Sequence, residues 1–185
     1  ESDQMEGLPS SDAKGELDKY IEILRAHGHP HPVFELAIRW LANNVPPSQA
    51  RCLVHGDFRM GNLMVTPENG VVAILDWELA HIGDPMEDLG WPCVPSWRFG
   101  QHQNPVGGFG QREDFYAAYE AAGGTIDRAA VRFWEILGTL KWGIMCTMMA
   151  TAFTSGADRT VERAAIGRRA SETEIDLLRM LEGLD

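Results

Sequence analysis

Three oxygen-bearing side chains lie close together in the middle of the sequence and could do metal-assisted chemistry. Asp57 and Asn62 belong to the segment HGDFRMGN (residues 55–62), and Asp76 follows fourteen residues after Asn62. Carboxylate and amide oxygens are the hard ligands that suit Mg²⁺, which completes its shell with water and phosphate. A carboxylate that is not bound to metal can accept a proton. These residue types therefore predict one proton acceptor and two metal ligands.

Two short apolar runs must position these side chains. Leu63–Thr66 and Val71–Leu75 are joined by Pro67-Glu68-Asn69-Gly70, and Asn-Gly between apolar runs is a strong hairpin signal. An antiparallel hairpin brings the residue before its first strand, Asn62, close to the residue after its second, Asp76. Residues paired across such strands have Cα atoms about 4.5–5.5 Å apart. The loop between Asp57 and Asn62 can turn the carboxylate of Asp57 toward the same open end of the hairpin.

The remainder of the chain has helical periodicity, so the sequence predicts a mainly α fold with one small antiparallel β-hairpin. Asp84, with Glu87 three residues later, is typical of a helix start with a capping box. Residues 1–15 are predicted to be a linker or loop, and residues 92–110 an irregular connection. The predicted helices are Glu16–Arg25, Val33–Asn43, Gln111–Ala122, Asp127–Thr151 and Val161–Leu181.

Composition excludes several classes of protein. The 185 residues carry a formal net charge of −11, which disfavours nucleic acid or an anionic membrane as the main partner. The most apolar stretch, Phe133–Phe153, is interrupted by Glu135 and Lys141, so we expect no membrane span. The three widely spaced cysteines and the acidic, polar start favour reduced thiols and a cytoplasmic location.

The motif order around the hairpin resembles that of kinase-fold phosphotransferases. The spacing His55-Gly56-Asp57-x4-Asn62 matches the H-R-D-x4-N catalytic loop, and Asp76 takes the place of the Asp of D-F-G. The triplet Asp76-Trp77-Glu78 and the later Gly83-Asp84-Pro85-x-x-Asp88-Leu89 are similar to those of the aminoglycoside phosphotransferase and choline kinase-like families. The motifs cover about residues 51–91, and the helical remainder is compatible with the C-terminal lobe of that fold.

The resemblance implies a role for each matching residue. Asp57 corresponds to the catalytic base at the acceptor hydroxyl, and Asn62 and Asp76 to the Mg²⁺ ligands that hold ATP phosphate. His55 and Asp88 would support the catalytic loop structurally. The implied function is ATP- and Mg²⁺-dependent phosphoryl transfer to a hydroxyl of a small molecule. The alternative is a catalytically silent binding or regulatory module with a kinase fold.

Two features depart from that pattern. Glu78 stands at the Gly position of D-F-G, where it is either a further metal or substrate ligand or a solvated strand-end acid. The 54 residues before His55 predict a linker and two helices, without the strand-rich nucleotide-binding lobe. We therefore expect this chain, residues 16–185, to be the C-terminal lobe alone, inactive without the N-terminal lobe of the same protein.

Charge placement bears on the acceptor. Residues 56–127 contain eleven acidic and three basic side chains. Such a field would attract a cationic acceptor, for example an aminoglycoside, choline or another amino alcohol. The alternative is that several of these acids cap helices, as Asp84 and Glu87 are predicted to do, so the sequence leaves the acceptor open.

Overall fold

The computed structural model of the chain describes residues 7–47 and 51–184. Helices dominate these ranges, and the strands form small antiparallel pairs, which confirms the predicted fold class. The helices are α1 (Ala13–His27), α2 (Pro32–Asn43), α3 (Met86–Gly90), α4 (Arg112–Ala121), α5 (Arg128–Thr154), α6 (Val161–Gly167) and α7 (Ala170–Glu182). The strands are β1 (Cys52–Val54), β2 (Leu63–Thr66), β3 (Gly70–Ile74) and β4 (His81–Gly83).

The chain divides into two compact units. The first comprises Glu1–Ala13 and Pro46–Glu135, and the second comprises Lys14–Val45 and Ile136–Asp185. All the strands listed above, and every residue predicted to take part in chemistry, belong to the first unit. The candidate site can therefore be described within that unit.

The helices of the second unit pack through apolar faces. In α2 the predicted face of Phe34, Ala37, Ile38 and Leu41 is buried throughout, which follows from residues three and four apart sharing one side of a helix. Pro32 lies in the first turn of α2, where its missing N–H costs no hydrogen bond.

The predicted helix over Val161–Leu181 is wrong in one respect, because the structure divides it into α6 and α7. The break follows Gly167, a residue with low helix propensity. An added Cβ at Gly167 would lie 2.8 Å from the Cα of Ala150 in α5. A glycine here permits close helix packing, and the helix ends at that contact.

The first unit contains the predicted hairpin and a second sheet that the sequence did not indicate. Strands β2 and β3 pair antiparallel, with Leu63 opposite Ile74, which confirms the hairpin. Strands β1 and β4 also pair antiparallel, with Cys52 opposite Gly83. The pairing of β1 with β4 brings together the two ends of the segment that contains the hairpin. Residues 55–62 connect β1 to β2, and residues 75–80 connect β3 to β4.

The N-terminal segment predicted as a linker or loop, residues 1–15, differs from that expectation within its described part. Residues 1–6 lie outside the described residues. Ile82 exchanges backbone hydrogen bonds with Pro9 and Ser11, at 2.9 and 3.0 Å, and α1 begins at Ala13 rather than Glu16. The segment is thereby tied to β4.

Asp84 and Glu87, the residues predicted to form a capping box, lie at the start of α3, where the N-cap residue is Pro85 and makes no side-chain cap hydrogen bond. Asp84 accepts a hydrogen bond from the amide of Met86 at 2.9 Å. The carboxylate of Glu87 contacts Nε2 of His81 at 3.2 Å, and the predicted capping box stays a prediction. The second carboxylate oxygen of Asp84 accepts from the indole of Trp134 at 3.0 Å, so this helix start is connected to α5.

Helix α5 is long and apolar enough to cross a membrane by length and composition, and half of its most apolar window is buried in the fold. Buried core helices commonly meet the same criterion. Within the helix, Glu135 and Thr139 are themselves buried polar residues.

Candidate active site

The predicted base, Asp57, has a carboxylate held by three side-chain donors. The Nε of Arg59 contacts both carboxylate oxygens at 3.1 and 3.2 Å. The indole N–H of Trp91 donates to Oδ1 at 2.7 Å, and the amide of Asn62 donates to Oδ2 at 2.8 Å. Donors from three directions fix the orientation of the carboxylate while its side chain stays partly exposed.

Asn62 lies at the end of the 3₁₀ turn Met60–Asn62, immediately before β2. Its side chain is buried, and its amide nitrogen donates to the backbone oxygen of Asp57 as well as to the carboxylate. Since both described bonds use the nitrogen, the carbonyl oxygen is the atom that Asn62 can offer to a metal.

Asp76 stands where the hairpin ends, as predicted from the strand pairing. The amide of Leu75 donates to the backbone oxygen of Asn62 at 2.8 Å, which places the backbones of residues 62 and 75 side by side. Asp76 is exposed and adopts the left-handed conformation, with φ 66° and ψ 60°. Non-glycine residues in this region carry strain that recurs at functional sites, and Asp tolerates it better than most.

His55 and Asp88 both bind the backbone of the catalytic loop, as the structural role predicted for them requires. The carboxylate of Asp88 accepts from the amides of His55 at 2.6 Å and Gly56 at 3.0 Å. His55 Nδ1 accepts from the amide of Asp57 at 3.1 Å, so its Nε2 carries the proton and donates to the Leu75 oxygen at 2.8 Å. One ring therefore links the loop to the end of β3.

Electrostatics distinguish Asp88 from an exposed acid. Burial raises the pKa of Asp88 above its ordinary value, although the two backbone donors lower it in part. A carboxylate that is largely shielded from solvent and accepts from two backbone amides is suited to holding a loop. It is poorly placed to bind a ligand.

Glu78, the residue with two open interpretations, lies in the 3₁₀ turn Trp77–Leu79, directly after Asp76. Its side chain is exposed. Next to it, the ring of Trp77 packs against that of His55 in a tilted arrangement, with ring centroids 4.7 Å apart. The turn therefore contacts the catalytic loop through Trp77, while Glu78 faces solvent.

Sequence reasoning missed two residues that touch Asp57. Arg59 lies two residues after it, inside the recognised motif, and its guanidinium also lies over the ring of Trp97 at 5.1 Å. A basic residue so near a predicted base was a usable signal. Trp91 is 34 residues away from Asp57 in the chain, and nothing in its local pattern predicts that contact.

The two residues predicted to bind magnesium, Asn62 and Asp76, both carry side-chain oxygen atoms. Among residues 7–47 and 51–184, no three His, Cys, Asp or Glu side chains converge on a metal position. Mg²⁺ typically takes one or two carboxylates plus phosphate oxygens and water. The exposed carboxylate of Asp76 and the carbonyl oxygen of Asn62 are donors of the chemical type that such a site uses.

Comparison with known proteins defines the class to which this site belongs. The sequence model of the phosphotransferase enzyme family matches residues 6–134, which is more than half of the chain. The chain therefore belongs to the phosphotransferase enzyme family, and the resemblance seen in the catalytic-loop motifs is confirmed.

The curated relatives are longer proteins that are named as acyl-CoA dehydrogenase family members. A stretch of 64 residues is 47% identical to acyl-CoA dehydrogenase family member 10 of Mus musculus, covering 34% of this chain and 6% of that protein. A stretch of 124 residues is 31% identical to acyl-CoA dehydrogenase family member 11 of Pongo abelii, covering 61% and 16%. The chain thus corresponds to a small part of these relatives.

Solved structures show the same fold. A protein named "putative aminoglycoside phosphotransferase" from Ralstonia eutropha has a TM-score of 0.77 at 22% identity, covering 96% of this chain and 57% of that one. Macrolide 2′-phosphotransferase type I has a TM-score of 0.57 at 18% identity, covering 92% and 50%. The chain has a kinase-like fold and spans about half the length of these structures.

Proposed function

We propose that this chain is the catalytic lobe of a cytoplasmic, ATP- and Mg²⁺-dependent enzyme that phosphorylates a hydroxyl of a small molecule. The observation that carries the proposal is the Asp57 carboxylate, which three donors orient while it stays partly exposed. A fixed carboxylate in this family's loop is suited to orienting an acceptor hydroxyl and receiving its proton.

The reaction balances with the residues available. The acceptor oxygen forms a bond to the γ-phosphorus of ATP, and the bond from that phosphorus to the bridging oxygen breaks, releasing ADP. The hydroxyl proton passes to Asp57. Asn62 and Asp76 would hold Mg²⁺, which, when bound, neutralises charge on the β- and γ-phosphates. Arg59 adds a guanidinium beside the site of transfer.

The nucleotide would be held with the help of an N-terminal lobe belonging to the whole protein. Exposed apolar side chains on and beside the hairpin support this, namely Met64, Val72 and Leu75. Exposed apolar patches of this kind commonly mark surfaces that a partner covers. We expect the 185-residue chain alone to bind ATP poorly and to turn over slowly or not at all.

The direct test is turnover by the full-length protein with Mg·ATP and a panel of hydroxyl compounds, followed by ³¹P NMR. The panel includes choline and other amino alcohols, because residues 56–127 contain eleven acidic and three basic side chains. It also includes hydroxyacyl thioesters, because the named relatives are acyl-CoA dehydrogenases. A phosphoester that forms only with Mg²⁺ present is the expected product.

Asp57→Asn should lower kcat about a hundredfold to ten-thousandfold, the usual contribution of a general base. Asp18→Asn is the matched control, because Asp18 is an exposed acid paired with Lys14. Equal turnover by wild type and Asp57→Asn would remove Asp57 from its proposed role.

The same samples separate an enzyme from a silent module. Calorimetry measures Mg·ATP binding independently of turnover. Binding by the wild-type protein without any phosphoester, over the whole panel, would favour the catalytically silent binding or regulatory module. Product formed by wild type and lost in Asp57→Asn would refute that alternative.

A further inference from the structure

A cavity of about 360 Å³ borders the catalytic loop within the first unit. Phe58, Arg59 and Met60, the three residues that follow Asp57, form part of its wall. The other walls come from the hairpin, from the loop 106–111 and from the start of α4. A cavity that shares residues 58–60 with the catalytic loop is placed to hold the acceptor.

The wall is mostly apolar. Hydrophobic side chains predominate, with Leu63 and Val71 from the hairpin and Phe109 and Phe115 from the opposite side. Leu63 and Val71 share a face because a bulge shifts the register of β2 against β3, pairing Val65 with Val71. Small-molecule sites are typically concave and apolar with a few polar groups that fix orientation.

Phe109 is the most exposed of these wall residues, at 64%. It is nevertheless carried by an ordered loop. Val106 and Gly110 exchange backbone hydrogen bonds at 3.0 and 3.1 Å, and the amide of Gly107 donates to the Pro92 oxygen. At Gly108, with φ +79°, an added Cβ would lie 2.5 Å from the Arg98 oxygen. The loop is built to present an aromatic ring beside the cavity.

One polar wall residue links the cavity to the proposed base. The Arg59 guanidinium lines the cavity and contacts the Asp57 carboxylate at 3.1 Å. Asp57 itself is not among the residues that line the cavity, so Arg59 is the wall residue that connects the cavity with the proposed base. Among the residues that line the cavity, Asp114 is the acidic one and Arg59 the basic one, and Arg59 is already paired with Asp57. A single carboxylate in a mostly apolar wall offers a polycation few partners.

We infer that the acceptor is an amphipathic alcohol whose alkyl or aryl part occupies this cavity while its hydroxyl reaches Asp57. This inference rests on the proposed function, and it names the substrate class for that site. It places the acidic excess of residues 56–127 outside the acceptor cavity, so affinity depends on apolar area rather than on a cationic group.

The first experiment measures acceptor KM in the full-length protein for primary alcohols of increasing chain length, with choline beside them. KM should fall as the alkyl chain lengthens. Phe109→Ala should raise KM for the longer alcohols roughly tenfold to a hundredfold, the factor expected from losing the burial of one phenyl ring. Phe99→Ala is the matched control, because Phe99 is also 65% exposed but does not line the cavity.

The second experiment does not require turnover. The ε-methyl of Met60, a wall residue, is followed by ¹³C NMR in methionine-labelled protein during titration with 1-octanol, and is assigned with Met60→Leu. A saturable shift that weakens in Phe109→Ala but not in Phe99→Ala supports the inference.

The outcomes separate the two proposals. Turnover that depends on Asp57, with a KM indifferent to chain length and no Met60 shift, would overturn the inference and leave the proposed function standing. A saturable Met60 shift without turnover of any hydroxyl compound would refute the proposed function and retain the cavity as an apolar binding site. Turnover of choline in preference to every alkyl alcohol would also overturn the inference.

Discussion

At the scale of single residues, the indole of Trp91 has the clearest positioning role. It donates to the Asp57 carboxylate at 2.7 Å and is itself buried. A buried donor of this kind restricts the rotation of the carboxylate before the acceptor binds. Binding of the acceptor therefore removes no further rotational freedom from Asp57. Removal of the indole should affect the orientation of Asp57 more than binding of the acceptor.

Trp91→Phe in the full-length protein should therefore lower kcat about tenfold, with little change in acceptor KM. The loss corresponds to about 1.4 kcal/mol, close to the lower end of the roughly 1.5–3 kcal/mol usual for a hydrogen bond to a charged group. Trp134→Phe is the control, because it removes the same kind of bond, to Asp84 at 3.0 Å, away from the proposed base. If both variants lose kcat equally, the effect is on stability and Trp91 has no positioning role.

At the scale of elements, two glycines with positive φ carry the catalytic loop and the hairpin turn. Gly56 has φ +81°, and an added Cβ would lie 2.8 Å from the Leu79 oxygen. Gly70 has φ +67° with nothing within 4 Å of such a Cβ. An alanine at Gly70 would meet backbone strain alone, whereas an alanine at Gly56 would meet backbone strain and a steric clash. Comparing the two positions therefore separates the two effects within the first unit.

Gly70→Ala should cost about 1 kcal/mol of unfolding free energy, since only the left-handed backbone is penalised. Gly56→Ala should cost clearly more, because Leu79 must also move, and it should shift the loop that carries Asp57. Urea unfolding of each variant measures the difference. Equal losses would mean that the contact with Leu79 relaxes freely and does not fix the loop.

The elements also show what the sequence could predict. The hairpin and the buried face of α2 were predictable because each depends on local periodicity and turn chemistry. The pairing of β1 with β4 was not, because three-residue strands almost thirty residues apart carry no period of their own. Glu87 illustrates the same limit: its spacing from Asp84 is typical of a capping box, and nothing in that spacing predicts the contact of its carboxylate with His81.

The residues of the candidate site also differ in whether the sequence could predict them. The proximity of Asn62 to Asp57, and the place of Asp76 at the end of the hairpin, could be predicted from spacing within one motif and one hairpin, while their chemical roles stay predictions. Trp91 and the loop around Phe109 were not, because their contacts depend on how α3 and residues 91–111 fold back over the catalytic loop. Residues that position the chemistry thus come from long-range packing, which a single sequence records only weakly.

At the scale of the whole molecule, the first unit contains an ion cluster centred on Glu135, which is 2% exposed. Arg98 and Arg112 contact its Oε1 at 3.0 and 2.8 Å, and Arg132 contacts its Oε2 at 3.5 Å. Arg98 is also buried and donates to the Cys93 oxygen. One carboxylate therefore connects the turn Pro95–Arg98 with α4 and α5.

A buried carboxylate among three guanidinium groups makes the unit sensitive to loss of that one charge. Glu135→Gln should lower the unfolding free energy by about 3–5 kcal/mol, because it leaves buried Arg98 without a counter-charge. Replacing both partners, as Arg98→Met with Glu135→Leu, should recover a large part of the loss, since an apolar pair needs no charge compensation. Glu113→Gln is the control: its pair with Arg128 is exposed and should contribute little. Urea unfolding followed by tryptophan fluorescence measures the unfolding free energy of all three variants. A double variant no more stable than Glu135→Gln would show that the cluster stabilises the unit through its hydrogen bonds rather than its charge.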